Sequence, residues 1–254
     1  MENNIRYHEV YWAGVRSGMY VCAVNKFLTA EEVVYIVNDS GSKALITSAA
    51  LGPIARDLLG AIEACPVRLM IDGVVAGYDC YEDAIAKQPT EPLAQEPRGD
   101  FMNYSSGTTG RPKGIKRPLS GEDFAGASML DILVEKLYQV GTETVYLSPA
   151  PLYHAAPLGF TAAVHSLGGT NVIMEKFDPV ASLRLIEKHR VTHSQWVPTM
   201  FIRMLKLDAA DRAGHDLSSH QIAIHAAAPC PIDVKHQMID WWGPIINEYY
   251  GATE

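Results

Sequence analysis

Hydrophobic and polar residues follow two different periods along this chain, and the changes of period predict its secondary structure. Short, almost continuous apolar runs at 44–47, 67–71 and 145–147 are typical of strands that are covered on both faces of a sheet. Segments with apolar residues three and four positions apart lie between such runs and predict amphipathic helices. The predicted strands are 19–24, 44–47, 67–71, 101–104, 145–147, 192–197, 221–225 and 245–250, and the predicted helices are 7–17, 30–39, 54–64, 122–138, 179–189, 198 onward and 231–242.

Local start signals support two of these helices. Thr29 and Glu32 have the spacing of a capping box, and Asp178 with Pro179 places a favoured N-cap before a favoured first helical residue. Strand and helix alternate along the whole chain, which predicts an α/β fold with mostly parallel sheets and right-handed crossovers. We expect two stacked lobes, a first at 1–140 and a second at 141–254.

The alternation also indicates where ligands bind. In open α/β sheets, ligands occupy the crevice outside the carboxyl ends of the strands. Polar or glycine-containing loops that directly follow a strand are therefore the candidates for function. Three loops fit this description, at 105–114, 226–231 and 251–254.

The first of these loops is the most biased segment of the sequence, Tyr-Ser-Ser-Gly-Thr-Thr-Gly-Arg-Pro-Lys-Gly at 104–114. Glycines let the backbone approach a ligand, consecutive N–H groups form an anion nest, and hydroxyls donate hydrogen bonds. A lysine ammonium adds a mobile positive charge. A flexible surface loop is the alternative. The predicted phosphate-binding residues are Ser105, Ser106, Gly107, Thr108, Thr109, Gly110 and Lys113.

The segment does not match the P-loop of ATPases. The pattern G-x-x-x-x-G-K-[ST] needs a glycine where Pro112 stands and a serine or threonine where Gly114 stands. Pro112 also has no N–H group to donate to a phosphate. The sequence therefore predicts a phosphate loop of another kind.

Composition and charge narrow the class of partner. A chain of 254 residues with 48% hydrophobic residues can bury one or two cores. Its net charge of -8 disfavours nucleic acid and anionic membranes, so a polyphosphate must be held by a local positive site. The four cysteines form no C-x-x-C pair, no apolar run approaches the roughly 18 residues of a membrane span, and the N-terminus lacks a signal-peptide core. We expect a cytoplasmic protein, and the oligomeric state stays open, a homo-oligomer included.

Two segments together resemble a known superfamily. Residues 104–114 are similar to the signature loop of the adenylate-forming (AMP-binding) enzymes, which include acyl-CoA synthetases, luciferases and peptide-synthetase adenylation domains. Asn-Glu-Tyr-Tyr-Gly-Ala-Thr-Glu, at 247–254, resembles a second signature of the same superfamily. The apolar character of 151–170 and the sequence at 241–244 resemble fatty-acyl or steroid-type acyl-CoA ligases most. Shorter similarities lie at 18–28, 151–157, 196–200 and 225–229.

This resemblance implies the fold of an acyl-CoA synthetase N-terminal domain and an acid–thiol ligase activity. Such an enzyme joins a carboxylic acid to the α-phosphate of ATP, which releases pyrophosphate, and then transfers the acyl group to the thiol of coenzyme A. The implied ligands are ATP, Mg²⁺, coenzyme A and a small-molecule carboxylic acid, fatty or otherwise hydrophobic.

The resemblance also implies roles for individual residues. Thr108, Thr109, Gly110 and Lys113 would bind the β- and γ-phosphates. Tyr250, followed by Gly251, would stack on the adenine. The residues implied to line the adenine are Ala227, Ala228 and Pro229.

The remaining implied residues concern the reacting groups. Thr253 would donate a hydrogen bond to the α-phosphate or the acyl carboxylate, and Glu254 would bind Mg²⁺. Together with Lys113 they are the implied catalytic residues. The acyl pocket is expected at His154, Trp196 and Ala226.

Plainer interpretations remain open for several of these positions. Tyr250 can be a core aromatic, Trp196 a buried tryptophan without function, and His154 a solvated loop histidine. Residues 226–228 can serve tight packing of a helix on a sheet. Glu254 can be a frayed terminus.

The chain departs from the superfamily pattern at both ends. A strand-rich opening is expected before residue 7, and a ribose-binding aspartate, a hinge and a small domain with the adenylation lysine are expected after Glu254. We therefore expect a fragment, truncated at both ends, whose own activity is open. One alternative is a nucleotide-binding or interaction module without turnover, and another is an adenylation domain that serves a carrier protein.

Overall fold

A computed structural model of the chain describes residues 1–105 and 111–251. The chain divides into two compact units, the first formed by Met1–Gly126 and the second beginning at Ala127. This division comes before the helix Met129–Tyr138, whereas the sequence placed the boundary near residue 140.

The first unit alternates short strands and helices. In chain order they are α1 Arg6–Val15, β1 Tyr20–Val21, α2 Ala30–Asp39, β2 Ala44–Ser48, α3 Gly52–Leu58, β3 Val67–Ile71, β4 Asp79–Cys80, α4 Tyr81–Ile85, β5 Asp100–Phe101, β6 Asn103–Ser105 and β7 Lys113–Ile115. Strands β2, β3 and β4 form a parallel sheet, and β1 pairs in parallel with β5. Strands β6 and β7, in contrast, pair antiparallel, so the residues on either side of 106–110 belong to two paired strands.

Helix α2 has the predicted bounds and the predicted cap. The Thr29 side chain accepts a hydrogen bond from the Glu32 backbone N–H, and the Glu32 carboxylate accepts from the Thr29 N–H at 2.8 Å. One face of the helix buries Val33, Ile36 and Val37. Two of these pack with Leu58, Ile62 and Cys65 in a core cluster, which fixes α2 in the first unit.

The second unit contains a larger parallel sheet. Its elements are α5 Met129–Tyr138, β8 Val145–Ser148, α6 Ala155–Ser166, β9 Thr170–Ile173, α7 Pro179–His189, β10 His193–Trp196, α8 Pro198–Leu205, α9 Ala209–Ala213, β11 Ile222–His225, α10 Ile232–Trp242 and β12 Ile246–Glu248. All neighbouring strands are parallel, in the order β12-β11-β10-β8-β9. The predicted α/β class is confirmed.

Helices cover both faces of this sheet, as the continuous apolar strands predict. Leu147, Trp196 and Ala223 belong to a core cluster that includes residues of α7, α8 and α10. Tyr146 and Ile224 belong to a separate cluster with residues of α5 and α6. Consecutive strand residues point to opposite faces, so the two clusters lie on the two sides of the sheet.

The predicted helix at 122–138 is wrong in its first half. Helix α5 begins at Met129, and Ser128 and Asp131 form a capping box at its start. Residues 122–124 pair instead with the segment 96–98, where the Arg98 N–H donates to the Glu122 carbonyl at 2.9 Å. Long-range backbone bonds therefore override the apolar spacing of this segment.

The sequence did not predict α6. This helix is apolar on most sides and buries seven residues, so it lacks the polar face that marks an amphipathic helix. It also contains Pro157 and Gly159, which lower helix propensity. Among the described residues, no helix has the length and apolar character needed to cross a membrane, and the four cysteines are free.

Buried neutral histidines are a feature of the second unit. His220 is 6% exposed, and its Nε2 lies 2.6 Å from the Ser194 hydroxyl, which also accepts a hydrogen bond from the Trp196 indole at 2.5 Å. Burial, followed by the nearby His193, lowers the pKa of His220 from 6.5 to about 3. Burial likewise lowers the pKa of His193.

We expect stability to fall as pH decreases from 6.5 towards 3. The folded-state pKa of His220 lies below its ordinary value, so the unfolded chain binds the proton first and stability is fully present only above pH 6.5. One such group gives a slope of about 1.4 kcal/mol per pH unit. Urea unfolding followed by tryptophan fluorescence at several pH values measures it. His220→Asn should flatten the profile, whereas His189→Asn, at an exposed helix end, should not; equal slopes for both variants would contradict this account.

Candidate functional site

The strand order of the second unit brings four predicted ligand segments to one edge. Parallel strands end on the same side of a sheet, and β8, β10, β11 and β12 are consecutive neighbours. The chain moves from β8 outward to β9 and then returns to β10 on the other side of β8. The position between β8 and β10 is therefore the topological switch point, where open α/β sheets bind ligands.

Two predicted pocket residues follow the strands at this switch point. His154 comes after β8 and is the N-cap residue of α6, with an exposed side chain whose ring centroid lies 4.4 Å from that of Tyr153. Desolvation lowers the pKa of His154, which favours the neutral imidazole. Trp196 ends β10, but its side chain is only 1% exposed and packs against Phe177 and Phe201. Trp196 is thus a core residue, and a role in lining a pocket stays a prediction.

The segment after β11 combines small side chains with an uncommon backbone. Ala226 is buried, whereas Ala227, Ala228 and Pro229 are exposed. Ala227 has a φ of 75°, a left-handed conformation that costs an L-residue about 1–2 kcal/mol. Strain of this kind is often found where a backbone is shaped for a ligand.

The segment after β12 carries one anchored and one exposed tyrosine. Tyr249 stacks on Phe160 with ring centroids 5.6 Å apart, and its hydroxyl accepts a hydrogen bond from Gln195 Nε2 at 3.2 Å. The Tyr249 N–H donates to the His225 carbonyl, which extends the pairing of β12 with β11. Tyr250 follows with 99% of its surface exposed, so its ring is free to stack on a planar group.

His225 is a candidate residue that sequence reasoning did not single out. It ends β11, is 0% exposed, and neither ring nitrogen has a hydrogen-bond partner within the described ranges 1–105 and 111–251. Burial, with a smaller effect of Lys235, lowers the pKa of His225. The sequence feature that could have identified His225 is its position at the end of a predicted strand, directly before Ala226.

The hairpin of β6 and β7, which we call the phosphate hairpin after the predicted loop between its strands, belongs to the first unit. Its two strands pair Ser105 with Lys113 and Tyr104 with Gly114. The Lys113 side chain is exposed. The predicted residues Ser106, Gly107, Thr108, Thr109 and Gly110, like Thr253 and Glu254, lie outside the described residues, and so does the Ser105 side chain.

Gly114 is required by close packing inside this hairpin. A Cβ atom at this position would lie 2.6 Å from Met102 Cε and 2.8 Å from Tyr104 Cζ. The Tyr104 ring thus occupies the space in which a side chain at 114 would stand. The Tyr104 hydroxyl, in turn, donates a hydrogen bond to Asp39 Oδ2 at 2.6 Å.

The described residues also define what could hold a metal. They contain no group of three or more His, Cys, Asp or Glu side chains arranged to bind an ion. A nucleotide-bound Mg²⁺ needs only one or two carboxylates beside the phosphates. The predicted ligand Glu254 is therefore compatible with such a site but lies beyond the described residues.

Comparison with known families gives one match that covers the chain. The family described as AMP-binding enzyme matches residues 1–254. A 4-hydroxybutyrate–CoA ligase of Metallosphaera sedula is 26% identical over 99% of this chain and 47% of its own length. A 4-coumarate–CoA ligase of Oryza sativa subsp. japonica is 28% identical over 100% of this chain and 47% of its own length. The medium/long-chain-fatty-acid–CoA ligase FadD8 of Mycobacterium tuberculosis is 29% identical over 95% of this chain and 43% of its own length. The chain spans about half the length of these relatives.

Solved structures share the fold. The amide bond synthetase McbA from Marinactinospora thermotolerans has a TM-score of 0.83 and 25% identity, over 99% of this chain and 49% of that protein. The anthranilate CoA ligase AuaEII, in complex with anthranoyl-AMP, has a TM-score of 0.85 and 24% identity, over 100% of this chain and 49% of that protein. The N-terminal domain of FACL13 from Mycobacterium tuberculosis has a TM-score of 0.81 and 23% identity, over 100% of this chain and 61% of that protein.

The packing of the hairpin leads to a testable expectation for Gly114→Ala. The added methyl group must displace both Met102 Cε and the Tyr104 ring, and overpacking of this kind costs about 1–3 kcal/mol. We expect a lower melting temperature and faster hydrogen exchange at β6 and β7. Gly60→Ala is the matched control, because nothing lies within 4 Å of its Cβ position and its φ is ordinary. An unchanged melting temperature for Gly114→Ala would show that the hairpin tolerates the methyl group.

Proposed function

This chain belongs to the AMP-binding enzyme family, and from that premise we propose that it provides the nucleotide- and acid-binding part of an ATP-dependent acid–CoA ligase. In the proposed reaction a carboxylate oxygen attacks the α-phosphate of ATP and pyrophosphate leaves. The thiol of coenzyme A then attacks the acyl carbon, a thioester forms, and AMP leaves.

One observation carries the proposal. The segments that contain His154, Ala226–Pro229 and Tyr250 follow the carboxyl ends of β8, β11 and β12, which are strands of one parallel sheet. These are the segments that the sequence assigned to the acyl group and the adenine. Their convergence at a topological switch point supports a common ligand.

The nucleotide roles follow from the chemistry of the residues. The exposed ring of Tyr250 offers a stacking surface for adenine, and the small side chains of Ala227 and Ala228 leave its edge accessible. Lys113 offers an ammonium group to the β- and γ-phosphates. Catalysis of this type depends mainly on positioning and on neutralising charge as it develops.

The acid is proposed to be hydrophobic, and a fatty acid is the leading candidate. Helix α6 begins directly after His154 with the half-buried Ala155 and Ala156, so the surface next to His154 is apolar. Curated relatives of this chain are named for medium- and long-chain fatty acids, 4-coumarate and 4-hydroxybutyrate, so the family name alone leaves the acid open. His154, with its pKa lowered by desolvation, is neutral and can donate a hydrogen bond to the acid carboxylate.

A second candidate concerns the acceptor of the acyl group. A similar structure is that of an amide bond synthetase, so an amine is the alternative to the thiol of coenzyme A. Adenylation is common to both candidates. Product analysis with coenzyme A and with a simple amine, after activation of the same acid, distinguishes them.

The decisive test is nucleotide binding followed by adenylation. Calorimetry of the 254-residue chain with ATP and Mg²⁺ should give one site, and a panel of hydroxylated, aromatic and long-chain acids should then be tested for acyl-hydroxamate formation. Binding without hydroxamate would favour the alternative of a nucleotide-binding module without turnover. Absence of ATP binding would overturn the proposal.

Lys113→Ala should separate binding from folding. Loss of a charged hydrogen bond to phosphate should weaken ATP binding about ten- to a hundredfold, because such bonds contribute about 1.5–3 kcal/mol. Since Lys113 is exposed, the free energy of unfolding should change by less than about 0.5 kcal/mol. Lys87→Ala, in an exposed loop of the same unit, is the control and should leave both quantities unchanged. Equal losses of affinity and stability would assign Lys113 a structural role.

A further inference from the structure

Helix α2 holds the phosphate hairpin from both sides of residues 106–110. On one side, the Tyr104 hydroxyl of β6 donates a hydrogen bond to Asp39 Oδ2 at 2.6 Å. On the other side, the Tyr35 hydroxyl donates to the Pro112 carbonyl, just before β7, at 3.1 Å. The two ends of the predicted phosphate loop are therefore fastened to the same helix.

A third contact lies next to these bonds. The Arg111 guanidinium stands 5.3 Å from the centroid of the Tyr35 ring, within the range of a cation–π interaction. Tyr35 thus contacts two consecutive residues, Arg111 and Pro112, at the point where the chain returns from the loop.

The two helix residues are not needed to form α2. Tyr35 and Asp39 are four positions apart and share one face, whereas Val33, Ile36 and Val37 form the buried face. The capping box of Thr29 and Glu32 already satisfies the start of the helix.

Asp39 lies at the end of α2 where the helix dipole disfavours a negative charge. It is the last residue of α2, and the last turn contains no basic residue, so its negative charge meets the negative end of the dipole. A carboxylate at this place is unfavourable for the helix alone. Its contact with Tyr104 is charge-assisted, and bonds of that type are stronger than neutral ones.

We propose that Tyr35 and Asp39 are positioning residues that hold β6 and the start of β7 in place, so that the hairpin presents Lys113 to the β- and γ-phosphates of a nucleotide. This inference rests on the proposed function and adds two residues to it. Holding the hairpin before binding reduces the ordering that the ligand would otherwise have to impose.

The test compares ligands with and without the terminal phosphates. We expect Tyr35→Phe and Asp39→Ala to weaken binding of ATP and of inorganic tripolyphosphate about two- to tenfold each, the effect of one lost hydrogen bond. Binding of AMP should be unchanged, because AMP has no β- or γ-phosphate. Calorimetry of the 254-residue chain measures all three ligands. The melting temperature should stay within about 2 °C of the unsubstituted chain.

Two controls match the substitutions in kind. Tyr20→Phe also removes a tyrosine hydroxyl that donates to a backbone carbonyl, that of Arg117 at 2.5 Å, but beyond β7. Asn38→Ala removes a side-chain bond of the same helix, to the Ala61 carbonyl at 2.8 Å, away from the hairpin. Both controls should bind ATP like the unsubstituted chain.

A double substitution tests the Asp39 contact itself. Asp39→Ala and Tyr104→Phe interrupt the same hydrogen bond, so the effects on ATP affinity should not add in the double variant. Additive effects would mean that the two side chains act separately and would overturn this part of the proposal.

The outcomes separate this inference from the proposed function. If the unsubstituted chain binds ATP and the Tyr35 and Asp39 variants bind it equally well, the positioning role is wrong while the proposed function stands. If the variants bind AMP as much more weakly as they bind ATP, or if their melting temperature falls by clearly more than 2 °C, their role is structural and the inference is overturned. If the unsubstituted chain binds neither ATP nor tripolyphosphate, the proposed function and this inference fail together.

Discussion

Parallel pairing of the five strands in the second unit is the constraint on which the candidate site depends. In a parallel ladder, every strand ends at the same edge, so segments far apart in sequence meet there without any specific contact between them. His154 and Tyr250 are separated by almost a hundred residues in sequence. They nevertheless follow β8 and β12, which lie one and two places from β10 in the same sheet. Core clusters on both faces hold these strands in register, and the loops therefore inherit a fixed spacing of about 4.8 Å per strand.

The first unit presents its phosphate segment in a different way. Its hairpin is antiparallel and receives its order from packing and hydrogen bonds to a neighbouring helix rather than from a wide sheet. Gly114 allows the Tyr104 ring to lie across the hairpin, and Tyr104 reaches α2 through its hydroxyl. The lack of a side chain at Gly114 and the hydroxyl of Tyr104 thus allow the hairpin to contact α2.

The net negative charge of the chain explains why phosphate binding is expected at only a few exposed cations. A chain with a net charge of -8 repels polyphosphate at long range, so attraction must come from a few exposed cations such as Lys113. The histidines near the sheet contribute no positive charge, because burial lowers the pKa of His193, His220 and His225. In the neutral form all three pack in the interior, and His193 and His220 also form hydrogen bonds, which is why acid should weaken the fold.

The sequence by itself determined the α/β class, the superfamily and most element bounds, and the structure and the family match confirm these predictions. The capping box at Thr29 and the Asp178–Pro179 start were reliable because helix caps are local interactions. Only the tertiary structure decided that 122–128 is not helical, that α6 is a helix, and that β6 and β7 run antiparallel, because these depend on long-range backbone bonds or uniform burial. The contacts of Tyr35 and Asp39 with the hairpin join residues 65 and 77 positions apart, and no local pattern in the sequence encodes such a pair.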